Sequence, residues 1–282
     1  MIIDCHTHIN NYHNEAEDAT RQRFDELQQE MRRNRIDMAL VLTSYKVVPG
    51  RPSTRISVEL TRDAKNIFVV AGVSYQNFSL DYLAEVREYM QEGSVRGLKL
   101  YPGYEPFYPS DPKLEPVYQL AAEFQLPVMI HTGDTYTPRG KVKYAMPIHV
   151  DEVAVDHPDV NFVICHIGNP WIRDCMEVVY KNANVYTDIS GLVLGNFSDR
   201  FEKYMRKQLQ EMLLYGVEPA NVLFGTDWPI SSMESYLQFM DELKLPPDDR
   251  RKIMYENSAK LFKLSVTDSP YEKGSLWGRL TS

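Results

Sequence analysis

The sequence predicts an α/β protein built as a single (β/α)8 TIM barrel. Three observations carry that expectation. Eight short β-branched and aliphatic runs recur along the chain, helical patterns separate them, and the 282 residues slightly exceed the roughly 250 that one such barrel needs. The runs cover residues 2–6, 38–43, 67–73, 95–101, 128–131, 160–166, 185–190 and 222–227. Regular alternation of buried-type strands with helices is the pattern of parallel βαβ units, and eight of them close into a barrel. Between the strands, Leu114, Val117, Tyr118, Ala121 and Phe124 keep helical spacing after an Asp111-Pro112 start, and Ser231 with Glu234 reads as a capping box. Pro and Gly clusters follow strands, as in Tyr101-Pro102-Gly103 and Trp228-Pro229, and none separates two halves of the chain. Residues 1–264 are therefore expected to form one barrel. Residues 265–282 are polar with Tyr271 and Trp277 embedded, and are expected to be a tail that is loose or packs as an arm on the barrel or a partner subunit.

Composition narrows the function classes. With 43% hydrophobic and 25% charged residues, the chain matches ordinary globular proteins and not collagen-like, coiled-coil or disordered ones. Lys plus Arg number 31 against 39 Asp plus Glu, so a net charge of −8 gives nucleic acid or an anionic membrane no long-range attraction. The longest apolar runs fall far short of the roughly 20 residues of a membrane span. The start Met1-Ile2-Ile3-Asp4-Cys5 lacks a basic segment and an apolar core, and reads as structure rather than a signal peptide. Three cysteines without regular spacing suggest reduced thiols and a cytoplasmic protein.

The strongest local signal for chemistry is His6-Thr7-His8 at the end of the first run. Period-2 alternation sends both imidazoles, and Asp4, to one face, with Cys5 and Thr7 on the other. Two neutral imidazoles on rigid backbone make half of a site for a transition metal such as zinc. The same strand-end placement recurs at His131, His166 and Asp227. Active sites of barrel enzymes lie at this C-terminal face, and buried His and Asp are costly unless paired or metal-bound.

Taken together, these residues resemble the amidohydrolase superfamily, and more narrowly its amidohydrolase-2 branch of small metal-dependent barrels. The likeness spans roughly residues 2–264. Its elements are Ile3-Asp4-Cys5-His6-Thr7-His8, Gly97-Leu98-Lys99-Leu100-Tyr101 and Pro127-Val128-Met129-Ile130-His131-Thr132-Gly133. Cys165-His166-Ile167-Gly168, Phe224-Gly225-Thr226-Asp227-Trp228-Pro229 and Glu256-Asn257-Ser258-Ala259-Lys260-Leu261-Phe262 complete the set. The resemblance implies that His6, His8, His131 and Asp227 hold a metal. It implies that His166 binds a second metal or acts as acid or base, and that Asn257 is structural. Because the first strand begins at residue 2, the barrel is expected to lack a flanking β-sandwich domain. Zinc is the favoured ion and manganese the second candidate, one ion rather than two.

Lys99 alternates with Leu98 and Leu100, so it is expected to face the barrel mouth, with Gly97 leaving room below it. It would pair with an inward acid, contact a substrate carboxylate, or, if carboxylated as in binuclear members, bridge two metals. Arg139, Lys141 and Lys143 crowd the loop after the fifth strand and would suit an anionic small-molecule substrate. Tyr101, Tyr104, Tyr136, Trp171 and Trp228 are expected on mouth loops, to hold a ring or to pack. His13 reads as a solvated loop residue, His149 and His157 as structural, and Cys5 and Cys165 as facing away from the site.

Three functions follow. The first is a metal-dependent hydrolase of an amide, lactone or ester, with a metal-activated water, Asp227 moving the proton and His166 and Lys99 in support. The alternative is a carbon–carbon lyase, a decarboxylase of an aromatic or unsaturated acid, as in relatives within the same branch. A catalytically dead scaffold is disfavoured because no ligand is missing. Lys99 tilts the sequence reading toward hydrolysis, and a homo-oligomer remains open.

Overall fold

The computed structural model describes residues 1–11, 19–193 and 199–266. Eight parallel strands lie side by side in chain order: β1 (Ile3–Thr7), β2 (Met38–Leu42), β3 (Ile67–Gly72), β4 (Val95–Leu100), β5 (Val128–Ile130), β6 (Phe162–Ile164), β7 (Val185–Asp188) and β8 (Val222–Leu223). Backbone hydrogen bonds from β8 and its following loop to β1 close the ring: Cys5 N–H to Phe224 O at 2.9 Å, Asp227 N–H to His6 O at 2.8 Å and His8 N–H to Trp228 O at 2.7 Å. The fold is a (β/α)8 TIM barrel.

The helices α1 (Ala19–Asn34), α2 (Thr54–Thr61), α3 (Leu80–Glu92), α4 (Glu115–Phe124), α5 (His149–Asp156), α6 (Ile172–Lys181), α7 (Asp199–Tyr215) and α8 (Met233–Glu242) each follow one strand. Two layers of apolar side chains result. Ala39, Val41, Val69, Leu98, Val128 and Ile130 point outward against Val86, Val117 and Val153 of the helices. Inside the barrel pack Ile3, Cys5, Leu40, Leu42, Val70, Met129, Val163 and Leu223. Strands covered on both faces explain why the sequence shows continuous apolar runs and not alternation. As expected, Leu114, Val117, Tyr118 and Ala121 are buried, and the Asp111 carboxylate accepts the Lys113 N–H at 3.0 Å where the helical segment starts.

A last helical run, α9 (Pro247–Arg251), a π-helical turn (Lys252–Glu256) and α10 (Asn257–Leu261), closes the chain against the barrel. Asn257 Nδ2 donates to Pro219 O at 2.8 Å and Val222 O at 2.7 Å, and Phe262 joins the interior cluster, so Asn257 is structural. Among the described residues no helix is long and apolar enough to cross a membrane.

Three sequence expectations are corrected. The α8 cap is Ser232, whose hydroxyl accepts the Ser235 N–H at 3.3 Å, one residue beyond the expected Ser231. The ladder between β1 and β2 shifts register between Asp4 and Thr7, so strict alternation fails there. Cys5 lies in the interior cluster rather than on the outer face, and so does Cys165, two residues after the inward-facing Val163. His13 and residues 267–282 of the tail lie outside the described residues.

Candidate metal centre

β5 ends at Ile130, directly before His131, β6 at Ile164, before the 3-10 turn that holds His166, and β8 at Leu223, before the loop that carries Asp227, which leaves all three side chains beyond the strands at the C-terminal mouth. His166 and Asp227 both have φ of 62°, a left-handed conformation uncommon for residues other than glycine. Each is held there by a hydrogen bond from its own N–H, His166 to the Asp188 carboxylate at 2.9 Å and Asp227 to His6 O at 2.8 Å. Strain concentrated at two strand ends of one mouth is characteristic of functional sites.

His6 and His8 are both buried, and each has one ring nitrogen engaged. His6 Nδ1 lies 2.8 Å from Asp188 Oδ2, and His8 Nδ1 lies 2.8 Å from Leu42 O. Donation of the Nδ1 hydrogen to an acceptor leaves each Nε2 with a lone pair, the arrangement of a ligand histidine fixed by an outer partner. The two Nε2 atoms stand 3.8 Å and 3.3 Å from Asp227 Oδ1. Ligands bound to one ion at about 2.0–2.2 Å stand at comparable distances from each other, so this donor set fits a divalent metal. Burial, with the Lys99 charge adding to it, lowers His6 to about 4 despite Asp188. The ring is therefore neutral near pH 7, the state a metal requires. Burial works against ionisation of Asp227, yet His8, His6 and His166 together hold its carboxylate well below the usual range.

Asp188, at the end of β7, was missed by the sequence reading. Its carboxylate is fully buried and accepts from His6 Nδ1, the His166 N–H, the Ser190 N–H and the Ser190 hydroxyl. Burial opposes its charge, but His6, His166 and Lys99 keep it ionised well below the ordinary carboxylate value. The signal available in the sequence was an acid inside an apolar run, at the same strand-end position as Asp227. Ser190 adds a second link, its hydroxyl lying 3.0 Å from His6 Nδ1 and 2.8 Å from His166 Nδ1. Two close approaches need glycine. A Cβ on Gly191, whose φ is 70°, would sit 2.9 Å from His166 Nδ1, and one on Gly225 would sit 2.9 Å from the His6 Cβ.

His131 and His166 complete the ring of imidazoles, with centroids 5.2 Å apart and His166 4.9 Å from His6. Burial is the main cause that lowers both below the ordinary imidazole value. His131 Nε2 lies 3.0 Å from Asp134 O, and His131 does not join the compact donor group of His6, His8 and Asp227. Lys99 points into the barrel as expected and is fully buried. The expected inward acid is absent: among the described residues no carboxylate lies in ion-pair range of Lys99, and its Nζ donates to Cys165 Sγ at 2.7 Å.

The mouth residues divide. Tyr45, Tyr101 and Tyr104 form an aromatic group with centroids 5.1 to 6.5 Å apart, and Tyr104 lies 4.7 Å from His131. The Tyr101 hydroxyl donates to Thr43 O at 2.6 Å, a strut between β4 and the β2 loop. Arg139, Lys141 and Lys143 are exposed on the loop after β5 and are not gathered into the donor group, and Tyr136 is 95% exposed. Trp171 is half-buried at the start of α6. Trp228 is buried beneath Arg23 of α1, 5.6 Å from its ring, so packing accounts for it. His149 and His157 bond or pack locally, against Lys143 O and the Tyr118 ring.

Comparison with known proteins agrees with this fold. The amidohydrolase family profile matches residues 3–264. The chain belongs to the amidohydrolase family. Among curated proteins, this amidohydrolase is 22% identical over 210 residues to gamma-resorcylate decarboxylase from Rhodococcus jostii (strain RHA1), covering 64% of this chain and 62% of the relative. The aligned region thus spans less than two thirds of that relative's length. Among solved structures, an uncharacterised TIM-barrel protein from Bordetella bronchiseptica superposes with a TM-score of 0.72 at 20% identity, covering 93% of this chain and 98% of that one. The 5-carboxyvanillate decarboxylase from Novosphingobium aromaticivorans DSM 12444, complexed with manganese and 4-hydroxy-3-methoxy-5-nitrobenzoic acid, gives 0.69 at 13% identity, with coverages of 94% and 96%. At these identities the structural likeness carries the fold alone.

Proposed function

We propose that this amidohydrolase is a metal-dependent decarboxylase of a hydroxylated aromatic carboxylate. His6, His8 and Asp227 would hold one divalent ion, with His131 as a fourth ligand. The observation that carries the reading is the buried donor group of His6 Nε2, His8 Nε2 and Asp227 Oδ1 beside the aromatic group of Tyr45, Tyr101 and Tyr104, in a family whose curated relatives include decarboxylases of such acids. Manganese is the ion to test first, because it occupies the related structure, with zinc second. When bound, the ion would neutralise the substrate's carboxylate and phenolate oxygens and fix their orientation.

The remaining work falls to the chain. Tyr104 and Tyr45 would face the substrate ring, since offset aromatic pairs are favourable at these separations. Loss of carbon dioxide from an aryl carboxylate requires a proton to arrive at the carbon that bears it. Asp227 would relay that proton, because its strongly stabilised carboxylate holds none at rest and gives up readily to the ring carbon one that it takes from a water in the mouth. His166 would serve as a hydrogen-bonding partner of the substrate, since Ser190 engages its Nδ1 and orients the ring. The tilt that Lys99 gives toward hydrolysis in the sequence is weakened, because Lys99 lies against Cys165 and not against an acid.

The test is a panel of hydroxybenzoates, lactones, esters and amides incubated with manganese-loaded protein. Stoichiometric release of carbon dioxide with the matching phenol supports the reading. Turnover of an ester, lactone or amide without carbon dioxide overturns it in favour of hydrolysis.

A further inference from the structure

The contact between Lys99 and Cys165 is not used by the proposed reaction and has unusual chemistry. Both side chains are fully buried inside the barrel, yet Sγ is the only hydrogen-bond acceptor that Lys99 Nζ has among the described residues. A lysine amine carries up to three hydrogens, and a buried one normally meets carboxylates or carbonyls. Here a weak acceptor stands in, with the Tyr101 ring 5.4 Å away as the other contact. The 2.7 Å separation is ordinary for nitrogen and oxygen but close for nitrogen and the larger sulfur atom. It exceeds any direct nitrogen–sulfur bond and is near what two bonds through a single oxygen atom span.

From this geometry we infer that Lys99 and Cys165 are the site of an oxidative modification, a covalent Nζ–O–Sγ bridge formed with dioxygen. The balance is one amine, one thiol and one dioxygen giving the bridge and one water. One N–H, the S–H and the O–O bond break, and N–O and O–S bonds form. Nitrogen and sulfur each lose two electrons, and the two oxygen atoms take up all four. One oxygen stays in the bridge, and the other leaves as water with the two displaced hydrogens. Excess dithiol reverses the step, returning amine, thiol and water.

The consequence reaches the metal centre. The Lys99 charge bears on His6, His131, His166 and Asp188. A Lys99 ammonium must first release one proton to give the amine that reacts, and a nitrogen bonded to oxygen is too weakly basic to regain it, so bridge formation leaves no positive charge beneath the donor group. Neither Lys99 nor Cys165 has any exposure, so bulky thiol reagents do not reach the pair.

The experiment needs no substrate and stands apart from the proposed function. Full-length protein is purified in air and in dithiothreitol, and intact and peptide masses are compared. The expected result is a gain of one oxygen less two hydrogens in the air sample, resolved by accurate mass from a methyl group. It maps to a cross-linked peptide pair containing positions 99 and 165 and disappears with dithiothreitol. Cys165→Ser and Lys99→Met are each expected to lack it, and the wild-type masses decide the question if either variant fails to fold. Whole-oxygen additions on Cys165 alone, a Cys5–Cys165 disulfide, or identical masses in the two samples would overturn the inference.

Discussion

Asp188 and His6, 182 positions apart in the chain, meet across the barrel mouth at 2.8 Å, Oδ2 to Nδ1. The bond joins β7 to β1 and fixes which imidazole nitrogen is left for a metal. The same carboxylate accepts the His166 N–H, so one side chain sets both the tautomer of His6 and the backbone of His166.

Replacing Asp188 with Asn keeps the shape but removes the charge that supports His6. Affinity for manganese, measured by competition with a chelator, is expected to fall about 10- to 100-fold, the range for outer partners of ligand histidines. An unchanged affinity would mean that His6 does not bind through Nε2.

Gly191→Ala places a Cβ 2.9 Å from His166 Nδ1 in a backbone conformation with φ of 70°. The left-handed conformation alone costs about 1–2 kcal/mol for a residue with a side chain. A melting temperature lower by several degrees is expected, together with loss of turnover. A variant with wild-type melting and activity would show that the His166 ring is free to move away.

Much of this architecture was legible in the sequence. The eight runs named all eight strands, because strands covered on both faces have no polar face to blur them. The strand-end positions of His6, His8, His131, His166 and Asp227 followed from the same runs. Side-chain direction was less legible where regular geometry fails. The register shift between Asp4 and Thr7 breaks the alternation from which Cys5 was placed outside. Likewise, the left-handed residues after β6 re-aim the chain just beyond Cys165. Asp188 and Ser190 carry no motif, and their importance arises only when β7 is set beside β1 and β6.

Glu105, 3% exposed, ties the loop after β3 to the mouth by accepting from the Ser74 hydroxyl at 2.8 Å and from the Tyr75 and Gln76 N–H groups at 2.8 and 3.0 Å. Glu105→Ala strands these donors, and a loss on the order of 3 kcal/mol in denaturant unfolding is expected. A loss under about 0.5 kcal/mol, the range of ordinary surface substitutions, would mean that water replaces the carboxylate without penalty.

Cys5, Cys165 and Cys175 are all buried and unbridged. Burial also pushes the Cys175 thiol up to about 12. In dithiothreitol-treated protein freed of reductant, a bulky aromatic disulfide reagent is expected to titrate none of the thiols natively and all three after denaturation. Rapid native reaction of even one thiol would contradict this packing.

The central claim is that His6, His8 and Asp227 form a metal site at the barrel mouth. Anomalous diffraction from crystals soaked in manganese tests it most directly. The account predicts an anomalous peak bonded to His6 Nε2, His8 Nε2 and the Asp227 carboxylate. A mouth that stays free of manganese at saturating concentration, or a peak held by other residues, would contradict it.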